Sequence, residues 1–174
     1  MSLVDIMLDQ LATARRIVED GAEVVPAWLI TTPGSPFLVL TRFDTDKPEQ
    51  RERALFLITR FMAWKLATSF VLVAETWVGP VISRSGPEAL FVVGVSRHEK
   101  RAAMQKIVRE APVNFGPVVW LAPHQVDDTY HNLPPWALEP STSARSAVVV
   151  RVTPLRALIF SAVGVELRHA SHEQ

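Results

Sequence analysis

Apolar residues recur at helical spacing in two stretches of the chain. In residues 3–20 the stripe is formed by Leu3, Met7, Leu11, Ala14 and Val18. In residues 47–67 the inner stripe is formed by Ala54, Leu57, Ile58, Phe61 and Met62. Ser2 is suited to cap the first helix, and Gly21 is suited to end it in the left-handed conformation. The spacing predicts two amphipathic helices, each with one face on a core.

Between and after these helices, short runs of strand-forming residues alternate with turn residues. The predicted strands are residues 24–31, 37–43, 70–78, 89–96, 118–122 and 146–152. The turn sequence from Thr32 to Pro36 joins the first two strands as a hairpin. Residues 101–110 fit either a helical turn or a further strand, and the short distance from the preceding strand favours the strand. A last helix is predicted to begin at Thr153.

The elements follow the order α-β-β-α-β-β-β, with a strand–helix unit after them. This order predicts an α+β fold in a single domain. Its mixed or antiparallel sheet has about five to six strands, with helices packed on it. Residues 1–122 form the predicted α+β core. Residues 123–144 are rich in proline and predict an irregular loop, longer than typical connections. Residues 145–174 supply a C-terminal strand, a helix and a tail of the same domain.

The order of elements over residues 3–122 resembles the profilin-like arrangement of roadblock and longin domains. The resemblance is one of element order, without a sequence signature. Such domains are mostly non-enzymatic modules that form homodimers or bind partners. The resemblance therefore implies a binding or assembly role.

The charge balance argues against a nucleic-acid or membrane partner. The chain has 18 Lys plus Arg and 18 Asp plus Glu residues, so no general attraction to DNA, RNA or anionic lipid is expected. No apolar stretch approaches the length of a membrane span, and we expect no secretory signal at the N-terminus. Cysteine is absent, which excludes disulfides and thiolate metal sites and fits a cytoplasmic location.

One carboxylate interrupts the most apolar predicted strand. Glu75 shares a strand face with Val71 and Val73. A buried carboxylate is costly unless it is paired or protonated, and such a group suits acid–base catalysis, so Glu75 is the catalytic candidate. The preferred interpretation is simpler, because Glu75 lies near the end of its strand. There it can meet water or pair with an arginine such as Arg84 or Arg97.

A second candidate site lies in the predicted loop. If residues 124–131 were helical, His124, Asp128 and His131 would share one face and suit zinc or non-haem iron, with Asp127 as a competing ligand. The alternative, which we prefer, is a polar loop in which an aspartate caps a turn. No phosphate-binding or dinucleotide-binding glycine motif is present, and we predict no cofactor.

Function is not determined by any of these motifs. We expect a non-enzymatic binding or assembly module that self-associates or binds another protein. Trp28 and Trp77 would mark the interface if they lay on an outer sheet face. The alternative is a small enzyme or sensor of a small-molecule ligand, with a pocket around Glu75 and the 123–144 loop. Whether the chain is an enzyme stays open, with the balance against it.

Overall fold

The computed structural model describes residues 2–41, 48–77, 87–126 and 165–169. The elements are α1 (Leu3–Glu19), β1 (Ala27–Thr31), β2 (Phe37–Thr41), α2 (Pro48–Lys65), β3 (Ser69–Trp77), β4 (Glu88–Ser96), β5 (Lys100–Val108), β6 (Asn114–Trp120), a 3-10 helix (Pro123–Gln125) and β7 (Val165–His169). The helices and antiparallel strand pairs confirm the predicted α+β class. None of the described helices has the length and hydrophobicity that crossing a membrane would require.

The chain divides into two compact units. The first contains Met1–Ala27 and Val71–His131, and the second contains Trp28–Phe70 and Asn132–Gln174. One boundary between the units falls after Ala27, the first residue of β1. The other falls after Phe70, the second residue of β3.

The first unit is a helix packed on an antiparallel sheet. Its strands follow the order β6-β5-β4-β3, and α1 lies against β4. Ser2 and Asp5 form a reciprocal capping box at the start of α1, and Gly21 adopts a φ of +76° just after its end. Both termini of the helix are therefore as predicted. The core consists of the α1 stripe and the strand residues beneath it: Leu3, Met7, Leu11, Ala14, Val18, Val24, Val71, Val73, Leu90, Val92, Ala103 and Ile107.

Helix α1 approaches β4 closely at Gly94, which has no side chain. A Cβ on Gly94 would lie 2.7 Å from Met7 Sδ and 3.1 Å from Leu3 Cγ. Glycine therefore allows the first turns of α1 to lie directly on the strand. Leu90 and Val92 of the same strand are fully buried in the core of this unit.

The second unit contains α2 and the strand order β1-β2-β7. The ring of Phe61 on α2 contacts Phe37 on β2 edge-on, with centroids 5.3 Å apart. Trp28 on β1 is fully buried against Phe70, with ring centroids 5.5 Å apart. Its indole Nε1 donates a hydrogen bond of 3.3 Å to Thr41 Oγ1. The hypothesis that Trp28 marks an outer interface is therefore wrong, because its ring and its polar group are both satisfied inside the unit.

The strands of the structure differ from the predicted strands in several places. Of the segment 101–110, residues 101–108 lie in strand β5 and do not form a helical turn. The short buried strand predicted at residues 118–122 begins earlier, at Asn114, and is largely exposed because it lies at the end of the strand order. β7 pairs antiparallel with β2 and was not predicted. The predicted strand at 146–152, the helix from Thr153 and most of the 123–144 loop lie outside the described residues.

Candidate functional site

Three charged residues meet at one end of the sheet in the first unit. Glu75 lies two residues before the end of β3, Glu88 begins β4, and Arg109 directly follows β5. The antiparallel register pairs Ala89 with Lys106, which places the start of β4 beside the end of β5. Alternation along the strands puts all three side chains on the sheet face that α1 covers.

A single guanidinium bridges the two carboxylates. Arg109 Nη2 donates to Glu75 Oε1, and Arg109 Nε donates to Glu88 Oε2. The backbone N–H of Val24 donates to the other oxygen of Glu75 at 3.4 Å. The side chains of Glu75, Glu88 and Arg109 are 15%, 22% and 40% exposed. Both carboxylate oxygens of Glu75 are therefore bound to donors, one of them from the segment after α1.

The electrostatics of this cluster favour a structural tie. Hydrogen bonds from Arg109 to Glu88 and then Glu75 raise the pKa of the Arg109 guanidinium above its usual value, although partial burial acts in the opposite direction. The guanidinium therefore stays charged and holds the ends of β3, β4 and β5 together.

The preferred interpretation of Glu75 named the right kind of partner, with Arg84 or Arg97 as examples. Glu75 does pair with an arginine near the sheet rim, but this arginine is Arg109. Arg97 lies in the turn between β4 and β5, at the other end of β4 from Glu88, and Arg84 lies outside the described residues. Arg109 and Glu88 were missed because they are distant from Glu75 in sequence. The sequence does contain one signal for the pair of Glu88 and Arg109. These residues have opposite charges, and they stand at the start of β4 and just after β5, two strands that the short turn at residues 97–99 joins.

The structure leaves the metal hypothesis as a prediction. His124 lies in the 3-10 helix after β6 and is exposed, while Asp127, Asp128 and His131 lie outside the described residues. Within residues 2–41, 48–77, 87–126 and 165–169, no group of three potential ligands could hold a metal ion.

The second feature of the first unit is the strand at the end of its order. β6 runs Asn-Phe-Gly-Pro-Val-Val-Trp and contains no charged residue. Val119 and Trp120 are large apolar side chains at the end of this strand, and they are 53% and 43% exposed. Val119 lies on the sheet face away from α1. Trp120 lies on the α1 face, which it shares with Phe115 and Val118, and these two residues pack partly against the core beneath α1.

The outer edge of β6 has a defined backbone pattern. Leu121 N–H donates to Ala102 O at 2.9 Å, and Ala103 is paired with Trp120. Hydrogen-bonded and non-hydrogen-bonded pairs alternate along an antiparallel ladder. The N–H and C=O groups of Val118 and Trp120 therefore point away from β5, toward the outer edge.

A bulge interrupts the regular pairing of β6 with β5 in the first half of β6. The register between β5 and β6 shifts between Gln105 and Ile107, next to Gly116 and Pro117. The buried side chain of Gln105 donates from Nε2 to Gly116 O at 2.7 Å, which ties the bulge to β5. Residues 118–120 are the regular part of the edge.

Comparison of the chain with protein-family models, curated proteins and solved structures found no match. The functional conclusion therefore rests on the geometry of the two features described above.

Proposed function

We propose that the protein is a non-enzymatic binding and assembly module that forms a homo-oligomer through β6. The observation that supports this function is the edge of β6. It has no charge along seven residues, and two large apolar side chains at its end are exposed to solvent.

Edge strands in proteins that stay monomeric are usually protected from pairing. Lysine, proline, bulges or short length prevent another strand from adding to the sheet. In β6 the proline and the bulge occupy residues 116–117. Val118, Val119 and Trp120 follow with neither a charge nor a proline, and no other described strand pairs with their outer edge. An incoming strand there would gain backbone hydrogen bonds and would cover apolar surface.

The profilin-like order of elements, which resembles that of roadblock and longin domains, agrees with this proposal. Such domains mostly act by forming homodimers or binding partners. The Glu75–Arg109–Glu88 cluster fits the same account, because it holds the strands of the sheet together and both oxygens of Glu75 are engaged. The alternative of an enzyme or ligand sensor around Glu75 and the 123–144 loop stays a prediction.

The test is a charge placed in the middle of the regular edge. Val119→Lys adds an ammonium at a 53% exposed position, so the fold of a single chain should tolerate it. The same ammonium opposes strand addition, because in the paired state it would lie next to apolar side chains or next to the identical ammonium of the second subunit. We expect the wild-type chain to show an oligomeric mass by light scattering after gel filtration, and Val119→Lys to show the monomer mass.

Phe56→Lys is the matched control, since Phe56 is a similarly exposed apolar residue on α2, with an exposure of 57%. This variant should retain the oligomer. A monomeric wild-type chain at high concentration would contradict the proposal. So would an oligomer that Val119→Lys leaves intact or that Phe56→Lys disrupts equally.

A further inference from the structure

We infer that the occupant of the β6 edge is a second copy of this chain, paired antiparallel with Val119 on the two-fold axis. This inference rests on the proposed function and specifies its interface. The two β6 strands would then join the sheets of two subunits into one continuous sheet.

The backbone pattern selects this register. In the regular part of β6, residues 118–120, the outward-pointing groups belong to Val118 and Trp120, one residue on each side of Val119. With Val119 on the axis, Val118 lies opposite Trp120 of the partner subunit, and Trp120 lies opposite Val118 of the partner subunit. Each of these pairs can exchange two N–H···O=C hydrogen bonds. Four hydrogen bonds result from groups that already face outward.

If the axis is moved by one residue, the outward N–H and C=O groups of Val118 and Trp120 can no longer all form regular hydrogen bonds. An axis at Val118 would place Trp120 opposite Gly116 of the partner subunit, inside the bulge where the ladder is irregular. An axis at Trp120 would require the N–H of Ala122. That group already donates to Gln125 Oε1 at 2.8 Å.

The side chains of β6 are also compatible with a two-fold axis at Val119. A two-fold axis brings every charge near the axis close to an identical charge, and like charges directly opposite destabilise a strand pair. β6 has no charged residue, so this repulsion is absent. Val119 would contact Val119 of the partner subunit, which covers the most exposed apolar side chain of the strand. A nucleic acid or a strongly charged peptide would find no complementary charge on β6.

Cysteine cross-linking tests the register, because the natural chain contains no cysteine. Residues opposite each other in a non-hydrogen-bonded antiparallel pair have Cα atoms about 4.5 Å apart, within the range that a disulfide spans. Oxidised glutathione would convert the two thiols of Val119→Cys to one disulfide and would itself be reduced. We expect most of this variant to run as a covalent dimer without reductant, and as a monomer after dithiothreitol.

Asn114→Cys is the matched control on the same strand. With Val119 on the axis, residue 114 of one chain is ten positions along the ladder from residue 114 of the other, about 33 Å away. This variant should form little or no covalent dimer under the same conditions, although Asn114 is exposed.

The outcomes separate the inference from the proposed function. Selective cross-linking through residue 119 supports the register. The register is overturned, and the proposed function stands, if the wild-type chain dimerises and Val119→Lys abolishes the dimer, but residue 119 cross-links no better than residue 114. A wild-type chain that stays monomeric overturns both.

Discussion

Replacing Arg109 by methionine would test the structural role of the ion-pair cluster. The substitution keeps an unbranched side chain that can replace the aliphatic part of the arginine, but it removes the cation that Glu75 and Glu88 share. Two carboxylates would then remain close together without their common partner. We expect the folded state to be destabilised, with no change in the order of strands.

The exposure of the three side chains sets the expected magnitude. Arg109 is 40% exposed, so each of its ion pairs is screened by solvent and contributes at most about 1 kcal/mol. Glu75 is only 15% exposed, so leaving it without the cation adds a desolvation cost, though well below the roughly 3–5 kcal/mol found for fully buried pairs. The total is about 2 kcal/mol. At a urea dependence of about 2 kcal/mol per molar, the midpoint would fall by about 1 M.

Arg101→Met provides a matched control on β5. Arg101 pairs with Glu99 at 2.8 Å, but the two side chains are 56% and 36% exposed, so its loss should cost less than about 0.5 kcal/mol. Urea unfolding of both variants and the wild type, at one chain concentration, would give the comparison. Equal midpoints for the Arg109 and Arg101 variants would refute the claim that Arg109 ties the strands together.

Two further substitutions test the packing and the capping of α1. Gly94→Ala should lower the free energy of unfolding by about 1–3 kcal/mol, because the new Cβ would lie 2.7 Å from Met7 Sδ. Gly34→Ala, which would meet no atom within 4 Å, should change it by less than about 0.5 kcal/mol, and equal effects in thermal melts would contradict the close contact. Asp5→Asn should destabilise the protein at neutral pH, because hydrogen bonds from the side chain and then the backbone of Ser2 lower the pKa of Asp5 below its usual 3.8. Since the folded-state pKa is depressed, the contribution of this carboxylate is complete above pH 3.8 and is lost as the pH falls through the folded-state pKa. Melts of the two proteins should therefore converge in acid, and a constant difference would contradict the capping role.

The sequence predicts α1 well because its signals are local. The apolar stripe, the cap at Ser2 and the stop at Gly21 all lie within the helix or next to it. β5 was predicted correctly for a related reason, since only a short turn separates it from β4. Such features need no knowledge of the neighbours in space.

The features that support the function depend on neighbours that the local sequence does not reveal. The run Val118-Val119-Trp120 has the composition of a buried strand, but its position at the end of the strand order exposes it. Composition alone cannot distinguish an edge strand from a central one. In the same way, Glu75 and Arg109 are 34 residues apart, and they meet because β3 and β5 lie on either side of β4 in the sheet.

The most direct test of the account is sedimentation velocity of the wild-type chain over a wide range of concentration, beside Val119→Lys. The account predicts that the wild-type chain shifts from monomer to dimer as its concentration rises. The lysine variant, which keeps the same far-ultraviolet circular dichroism spectrum, should stay monomeric throughout. A wild-type chain that sediments as a monomer at every concentration would contradict the central claim, as would a lysine variant that dimerises as strongly as the wild type.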